Sequence, residues 1–324
     1  MKPRVFLTRR LPAAAIQRLQ DQVDLELNPD DRVLSPSELL AGARDKDGLL
    51  CLLTDTIDAP LLEACPKLKV ISNYAVGYNN IDVAAATQRG IPVTNTPGIL
   101  TETSADLAFS LLLAVSRRIA EADRFVRTGQ WKGWGPLQFL GTDIHQAHLG
   151  IIGMGRIGKA MARRARGFDM TVSYWNRTRL SNAEEATLGL TYQSLETLLA
   201  QADFVSLHLA YHPETHHLIG ARELSKMKKT AFLINTARGA IIDEAALVTA
   251  LQKGTLAGAG LDVYEAEPFI TPALLAMDQV VVLPHIGSAT QATRTRMAHL
   301  AVDHLLAVFN GQRPTHLVNP AVWT

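Results

Sequence analysis

Leu149-Gly150-Ile151-Ile152-Gly153-Met154-Gly155-Arg156-Ile157-Gly158 is an apolar run that ends in three glycines spaced Gly-x-Gly-x-x-Gly. The helical stretch Lys159–Arg166 follows directly, so the spacing predicts the strand–turn–helix that opens a dinucleotide-binding fold. Gly153 permits the tight turn, Gly155 lets a pyrophosphate approach the backbone, and Gly158 allows close helix–strand packing. The N–H groups at the helix start, around Arg156 and Ile157, face the phosphates. A glycine turn without a ligand is the plainer alternative, and the flanking strand and helix weigh against it.

In NAD-specific sites of this kind an acid about 20 residues further on holds the ribose hydroxyls. Here the strand Thr171–Trp175 ends in Asn176-Arg177-Thr178-Arg179. An acid would repel a 2′-phosphate, whereas Arg177, Thr178 and Arg179 can bind one through charge-assisted hydrogen bonds. The expected cofactor is NADP(H). The alternative is a solvated surface turn and an enzyme that also accepts NAD(H).

Outward from this turn the chain alternates strand and helix. Before it, Val5–Leu7, Gly48–Leu53, Lys69–Tyr74 and Pro92–Thr94 read as strands, with helices near 12–20, 36–43, 59–64 and 82–88. After it, strands are predicted near 171–175, 203–209, 231–235, 258–263 and 280–284. Such alternation argues for parallel sheets covered by helices. One long amphipathic helix is expected from Thr101 to about Arg127, opened by Thr101-Glu102-Thr103-Ser104, whose hydroxyls suit an N-cap. It is expected to bridge two domains. A final helix is expected from Thr290 to about Phe309. Residues 1–99 with 290–324 then form one domain and 100–289 the other, a division in keeping with a length of 324 residues.

Composition narrows the function classes. Lys+Arg total 32 against Asp+Glu 31, a net charge of +1 that gives no electrostatic reason for a nucleic-acid or anionic membrane partner. The longest apolar stretch, Leu107 to Val115, is interrupted by Ser110 and is too short to span a bilayer. The opening segment, Met1 to Arg10, reads as a first strand rather than a secretion signal. Cys51 and Cys65 lack the spacing of a metal or redox pair, and a reduced, cytoplasmic chain is expected.

Three later segments share one design, an apolar strand that ends in polar chemistry. They are Ala231–Gly239 with Asn235-Thr236-Ala237-Arg238-Gly239, Gly260–Pro268 with Asp262 and Glu267, and Val280–Gly287 with Pro284-His285-Ile286-Gly287. In an open parallel sheet, strand ends are where ligands bind. Arg238 offers a planar fork of donors that never deprotonates. His285 suits proton transfer near neutral pH. Taken singly, Arg238, His285 and Glu267 each have a plainer explanation: a surface ion pair, a structural histidine or a loop charge.

With these segments the chain resembles the D-isomer-specific 2-hydroxyacid dehydrogenases over nearly its whole length, most closely the glyoxylate/hydroxypyruvate reductase branch. Further matches are Asn73-Tyr74-Ala75-Val76-Gly77-Tyr78-Asn79-Asn80-Ile81-Asp82, Thr94-Asn95-Thr96-Pro97-Gly98 and Leu261-Asp262-Val263-Tyr264-Glu265. The resemblance implies an α/β architecture of two Rossmann-like or flavodoxin-like doubly wound domains with an active-site cleft between them. Residues 1–99 plus 290–324 would bind substrate and 100–289 would bind NAD(P). It implies Arg238, Glu267 and His285 as the catalytic set, and Leu53, Val76 and Gly77, with Arg238, around a small 2-oxoacid. It also implies Ser104, Thr236, Ala237, Asp262, His285 and Gly287 beside the cofactor.

The resemblance leaves other activities in view. Phosphite oxidisers of the family carry a lysine in the loop matched by Val76-Gly77, and formate dehydrogenases carry Gln where Glu267 stands; neither pattern is present. Phosphoglycerate dehydrogenases often continue into regulatory domains, and this chain stops at Thr324. A D-lactate dehydrogenase stays open, as does a cofactor-sensing corepressor module.

Three features are set aside. His212-Pro213-Glu214-Thr215-His216-His217 reads as an exposed loop rather than a metal site. Arg163, Arg164 and Arg166 read as a solvated helix face. Trp131, Trp134, Phe139 and Leu140 suggest a buried interface. Here the resemblance implies a homodimer with this segment near the partner's active site, and packing within one chain is the alternative.

Overall fold

The computed structural model describes residues 1–323. The chain divides into two compact units, Met1–Leu100 with the stretch from Ser288 onward, and Thr101–Gly287. The first unit runs β1 (Arg4–Leu7), α1 (Ala13–Gln20), β2 (Asp24–Leu27), α2 (Pro36–Ala43), β3 (Gly48–Cys51), α3 (Ala59–Ala64), β4 (Val70–Asn73), α4 (Val83–Gln88) and β5 (Val93–Thr94). Its sheet is parallel with order β2-β1-β3-β4-β5. Strands β3 and β4 are buried along their whole length, because helices cover both faces of such a sheet. The order reverses between β1 and β3, which is where ligands collect in folds of this type.

The second unit begins with two helices, α5 (Thr101–Ser116) and α6 (Ile119–Arg127). It continues β6 (His148–Ile152), α7 (Arg156–Ala165), β7 (Thr171–Trp175), α8 (Asn182–Leu188), β8 (Thr191–Tyr192), α9 (Leu195–Gln201) and β9 (Phe204–Leu207). Then come α10 (Ala221–Lys226), β10 (Phe232–Asn235), α11 (Glu244–Gln252), β11 (Gly258–Leu261), α12 (Pro272–Leu275) and β12 (Val280–Val282). The seven strands are parallel in the order β12-β11-β10-β9-β6-β7-β8. That is the doubly wound dinucleotide-binding topology, with its reversal between β6 and β9. The last helix, α13 (Gln291–Phe309), returns to the first unit, where Ala298, Ala301, Val302 and Leu305 pack on Val5, Leu7, Leu50 and Val70.

Alternation along the strands sorts the core of the second unit into two layers. Ile152, Leu207, Leu233 and Leu261 face one set of helices, and Leu149, Ile151, Phe204 and Ile234 face the layer that holds Leu111 and Leu112 of α5. Each such side chain contributes roughly 1.5–3 kcal/mol by leaving water. This burial fixes the strand ends from which the polar residues project.

Several expectations need correction. The single helix 101–127 is broken at Arg117-Arg118, where Arg118 takes a left-handed backbone (φ 55°). The break has a tertiary cause: the Ser116 carbonyl accepts from Thr142 N–H at 2.9 Å, and a Cβ on Gly141 would lie 2.4 Å from that oxygen. Ser104 lies inside α5 rather than ahead of it, and its hydroxyl donates to the Gly287 carbonyl at 3.2 Å. Arg163 and Arg166 are exposed, as a solvated helix face requires, and Arg163 and Arg164 also pair with Glu102 and Asp106 of α5. Strands β2 and β8 were not anticipated; both are sheet edges.

Candidate active site

The glycine turn leaves β6 at the sheet's reversal point. Gly153 has φ +101°, and a Cβ there would sit 2.7 Å from the carbonyl of His208, just beyond β9. A Cβ on Gly158 would lie 2.2 Å from the Gly153 oxygen, whereas one on Gly155 would meet open space. Two glycines therefore let backbone close on backbone, and the third faces outward. Gly155 is the N-cap residue of α7 and no side chain caps the helix, so the first-turn N–H groups, including those of Arg156 and Ile157, remain available to an anion.

At the end of β7, Asn176 Oδ1 accepts from Met154 N–H at 3.3 Å and its amide donates to the Thr178 carbonyl at 3.1 Å. Arg179 is engaged elsewhere, bidentate on Glu185 at 2.7 and 2.8 Å. Arg177 and Thr178 are exposed beside the turn. A 2′-phosphate could thus draw on Arg177 and Thr178, with Arg179 already committed.

Neighbouring strands β10, β11 and β12 carry the second group of residues. Asn235, the last residue of β10, accepts from Ala237 N–H at 3.0 Å and donates to the Arg238 carbonyl at 2.9 Å, closing the turn that presents Thr236, Ala237 and Arg238. The Thr236 hydroxyl is buried without a hydrogen-bond partner. That orphaned oxygen, the open face at Gly155 and the uncapped α7 fit a bound nicotinamide dinucleotide. Burial lowers the pKa of the Arg238 guanidinium, and the nearby Glu267 charge opposes that shift.

Glu267 and His285 meet directly. His285 Nδ1 lies 2.8 Å from Glu267 Oε2, and Glu267 Oε1 accepts from Tyr264 N–H at 3.1 Å. Burial alone would raise the Glu267 pKa. The hydrogen bond and charge of His285, the Tyr264 N–H and the charge of Arg238 outweigh it and hold the carboxyl below its ordinary value. His285 Nε2 has no partner among the described residues. His285 adopts φ 53°, and the next two N–H groups, of Ile286 and Gly287, donate to the buried Asp262 carboxylate at 2.7 and 2.8 Å. Asp262 itself is raised above its ordinary pKa, chiefly by burial.

Two residues that the sequence showed only as parts of quoted segments, Gly239 and Tyr264, support the site through contacts it did not indicate. A Cβ on Gly239 would lie 1.8–2.3 Å from the Tyr264 carbonyl and Glu265 nitrogen, so only glycine lets the Arg238 turn sit against the Glu267 segment. Tyr264 anchors that segment through its hydroxyl, which donates to the Leu283 carbonyl at 2.8 Å. Contacts of this kind leave no mark in residue spacing.

Leu53, Val76 and Gly77 belong to the first unit, beyond the ends of β3 and β4. Leu53 is at the surface. Among the set-aside histidines, ligand atoms of His216 and His217 lie with one of Glu265 within 4.8 Å of one another. Their rings stack at 3.9 Å and 19°, so in-plane lone pairs do not converge on one ion, and His217 Nε2 is bound to Glu265 at 2.6 Å.

Comparison with known proteins adds the decisive observation: residues 109–287 match the family model described as D-isomer specific 2-hydroxyacid dehydrogenase, NAD binding domain. The chain belongs to the D-isomer-specific 2-hydroxyacid dehydrogenase family. This dehydrogenase is an NAD(P)-dependent oxidoreductase. It is 51% identical to a glyoxylate reductase of Thermococcus litoralis, over 100% of this chain and 99% of that one.

Solved structures agree on the family's fold. One is an NADPH-dependent glyoxylate/hydroxypyruvate reductase of Sinorhizobium meliloti in complex with NADP and malonate, 36% identical with a TM-score of 0.87, covering 99% of this dehydrogenase and 98% of that chain. A D-lactate dehydrogenase of Aquifex aeolicus complexed with NAD and lactic acid is 28% identical with a TM-score of 0.85, covering 98% and 99%. No helix among the described residues is long and apolar enough to cross a membrane.

Proposed function

We propose that this dehydrogenase reduces glyoxylate and hydroxypyruvate to glycolate and D-glycerate with NADPH as reductant. The observation that carries the proposal is the 2.8 Å contact of His285 with Glu267 on a sheet that also presents Arg238 and the glycine turn. The full-length likeness to glyoxylate reductases supports the choice of oxoacid.

When bound, the coenzyme supplies a hydride for the substrate's carbonyl carbon. His285 gives a proton to the carbonyl oxygen from Nε2, the nitrogen that Glu267 leaves unused. Glu267, held as a carboxylate, fixes the ring. Arg238 grips the carboxylate and polarises the ketone. Gly153, Gly155, Arg156, Ile157 and Gly158 hold the pyrophosphate, and Arg177 with Thr178, beside Asn176, the 2′-phosphate. Ser104, Thr236, Ala237, Asp262 and Gly287 line the nicotinamide side, and Leu53, Val76 and Gly77 of the first unit, the substrate-binding one, receive the oxoacid.

Following NADPH absorbance against a panel of 2-oxoacids, with NADH in parallel, tests the reading. Glyoxylate and hydroxypyruvate should give the highest kcat/KM. A preference for pyruvate would move the chain to the D-lactate type, absence of turnover would favour a cofactor-sensing module, and a clear NADH preference would overturn the cofactor assignment.

The aromatic segment supports assembly as a homodimer. Trp131, Trp134, Leu137 and Leu140 are exposed, 54–83% of each, while Phe139 packs within the chain on Phe125 at 5.1 Å between ring centres. Large apolar side chains gathered in one segment mark an interaction face. Light scattering that returned a monomer mass would remove this part of the proposal.

A further inference from the structure

Between β4 and α4 the first unit carries a loop whose backbone at residues 75–77 is held through its carbonyls. Three consecutive carbonyls are each taken by a donor near the end of β4 or β5. Ala75 O accepts from Thr96 N–H at 2.8 Å, Val76 O from the Asn95 side-chain amide at 2.7 Å, and Gly77 O from the Asn73 side-chain amide at 2.9 Å. Asn73 is fully buried and its own Oδ1 receives the Cys51 thiol at 3.7 Å, which fixes the amide with its nitrogen toward the loop.

A trans peptide plane carries its N–H opposite its C=O. Holding the carbonyls of 75, 76 and 77 inward therefore turns the N–H groups of Val76, Gly77 and Tyr78 outward. None of these three N–H groups has a hydrogen-bond partner among the described residues, and Val76, Gly77 and Tyr78 are all partly or fully accessible. Successive unpaired N–H groups on one loop form an anion-binding concavity.

We infer that Asn95 and Asn73 are positioning residues that hold this loop as a three-donor carboxylate receptor, with Tyr78 N–H as a donor beyond Val76 and Gly77. The inference rests on the reading that this loop receives the oxoacid. Arg238 both grips the carboxylate and polarises the ketone, whereas the two asparagines act on carboxylate recognition alone and leave hydride and proton transfer untouched. An asparagine suits the task because its amide reaches a main-chain carbonyl without bringing a negative charge toward the anion.

The experiment compares Asn95→Ala and Tyr78→Pro with the unaltered enzyme, using glyoxylate and its uncharged methyl ester as substrates, and oxalate as an inert anion. Tyr78→Pro deletes one N–H outright, and Gly77 before it tolerates the proline. Asn95→Ala frees the Val76 carbonyl and misaligns the N–H group of its peptide. It should raise KM for glyoxylate and Kd for oxalate up to about tenfold, the size of losing one N–H donor to the carboxylate. kcat, KM for the ester and affinity for NADPH should stay near their starting values.

Tyr78→Pro should raise KM for glyoxylate in the same selective way. If it does and Asn95→Ala does not, the loop receives the carboxylate but the positioning role is wrong. If neither variant moves KM, the loop is not the receptor and the inference fails with the reading beneath it. Partial unfolding would lower turnover on acid and ester alike without changing either KM, and that outcome too would overturn the assignment.

Discussion

The Glu267 carboxylate reaches Nδ1 of His285 at 2.8 Å while its other oxygen is held by the Tyr264 N–H. One carboxylate thus joins the imidazole to the backbone of the segment that follows β11 and fixes the ring's orientation. If His285 is the acid, as proposed, such preorganisation avoids a reorganisation cost at the moment of proton transfer.

His285→Asn keeps a side chain that tolerates the left-handed backbone at this position and removes the proton donor. A loss of about 10²–10⁴ in kcat is expected, the usual contribution of a positioned acid. The Kd for NADPH, read by fluorescence, should hardly change. A variant with near-normal kcat would show that His285 is not the acid.

Arg177→Ser removes the exposed cation beside Asn176. kcat/KM for NADPH should fall about tenfold or more, as expected for loss of a charge-assisted hydrogen bond, with little effect on NADH. An equal fall with both cofactors would place the 2′-phosphate elsewhere.

Gly239→Ala forces a methyl group into the Tyr264 carbonyl and Glu265 nitrogen, with contacts of 1.8–2.3 Å. Overpacking usually costs about 1–3 kcal/mol, and here backbone must move because no flexible side chain can yield. A lower thermal midpoint together with reduced kcat is expected. Unchanged stability and activity would mean that the close approach is not needed.

His304 on α13 is 2% exposed, and its Nδ1 is buried with no hydrogen-bond partner. Burial pushes its pKa down to about 4, helped by His316. The fold therefore keeps the ring neutral. Above pH 6.5 neither folded nor unfolded chain carries this proton, and no stability is lost. As pH falls from 6.5 toward 4 only the unfolded chain takes it up, so stability declines, by about 3 kcal/mol at most. His304→Gln should narrow the gap in thermal midpoint between pH 7.5 and pH 5. An unaltered gap would assign the acid sensitivity to other groups.

How much of this was legible depended on whether the cause was local. Gly153–Gly158 was readable because turn, phosphate approach and helix packing each demand glycine at a fixed interval. Arg238, Glu267 and His285 lie at the ends of apolar strands, but each taken singly has a plainer reading and the set was picked out mainly by resemblance. The structure brings Glu267 and His285 into contact. Strand β2, Asp24-Leu25-Glu26-Leu27, was missed because an edge strand needs little apolar content. The break at Arg118 was missed because Ser116-Arg117-Arg118-Ile119 carries no glycine or proline, and its cause lies at Gly141 and Thr142. Arg179 was grouped with Arg177 because its partner, Glu185, is on the next helix.

The left-handed backbone at His285 also limits how this enzyme could be retooled. Histidine, asparagine and aspartate are the side-chain-bearing residues that enter that conformation most readily. Of these, only histidine exchanges a proton near neutrality. A lysine, tyrosine or glutamate introduced as a replacement acid would have to distort the main chain that Asp262 clamps just downstream, so the peptide geometry screens candidate acids before their chemistry is tried.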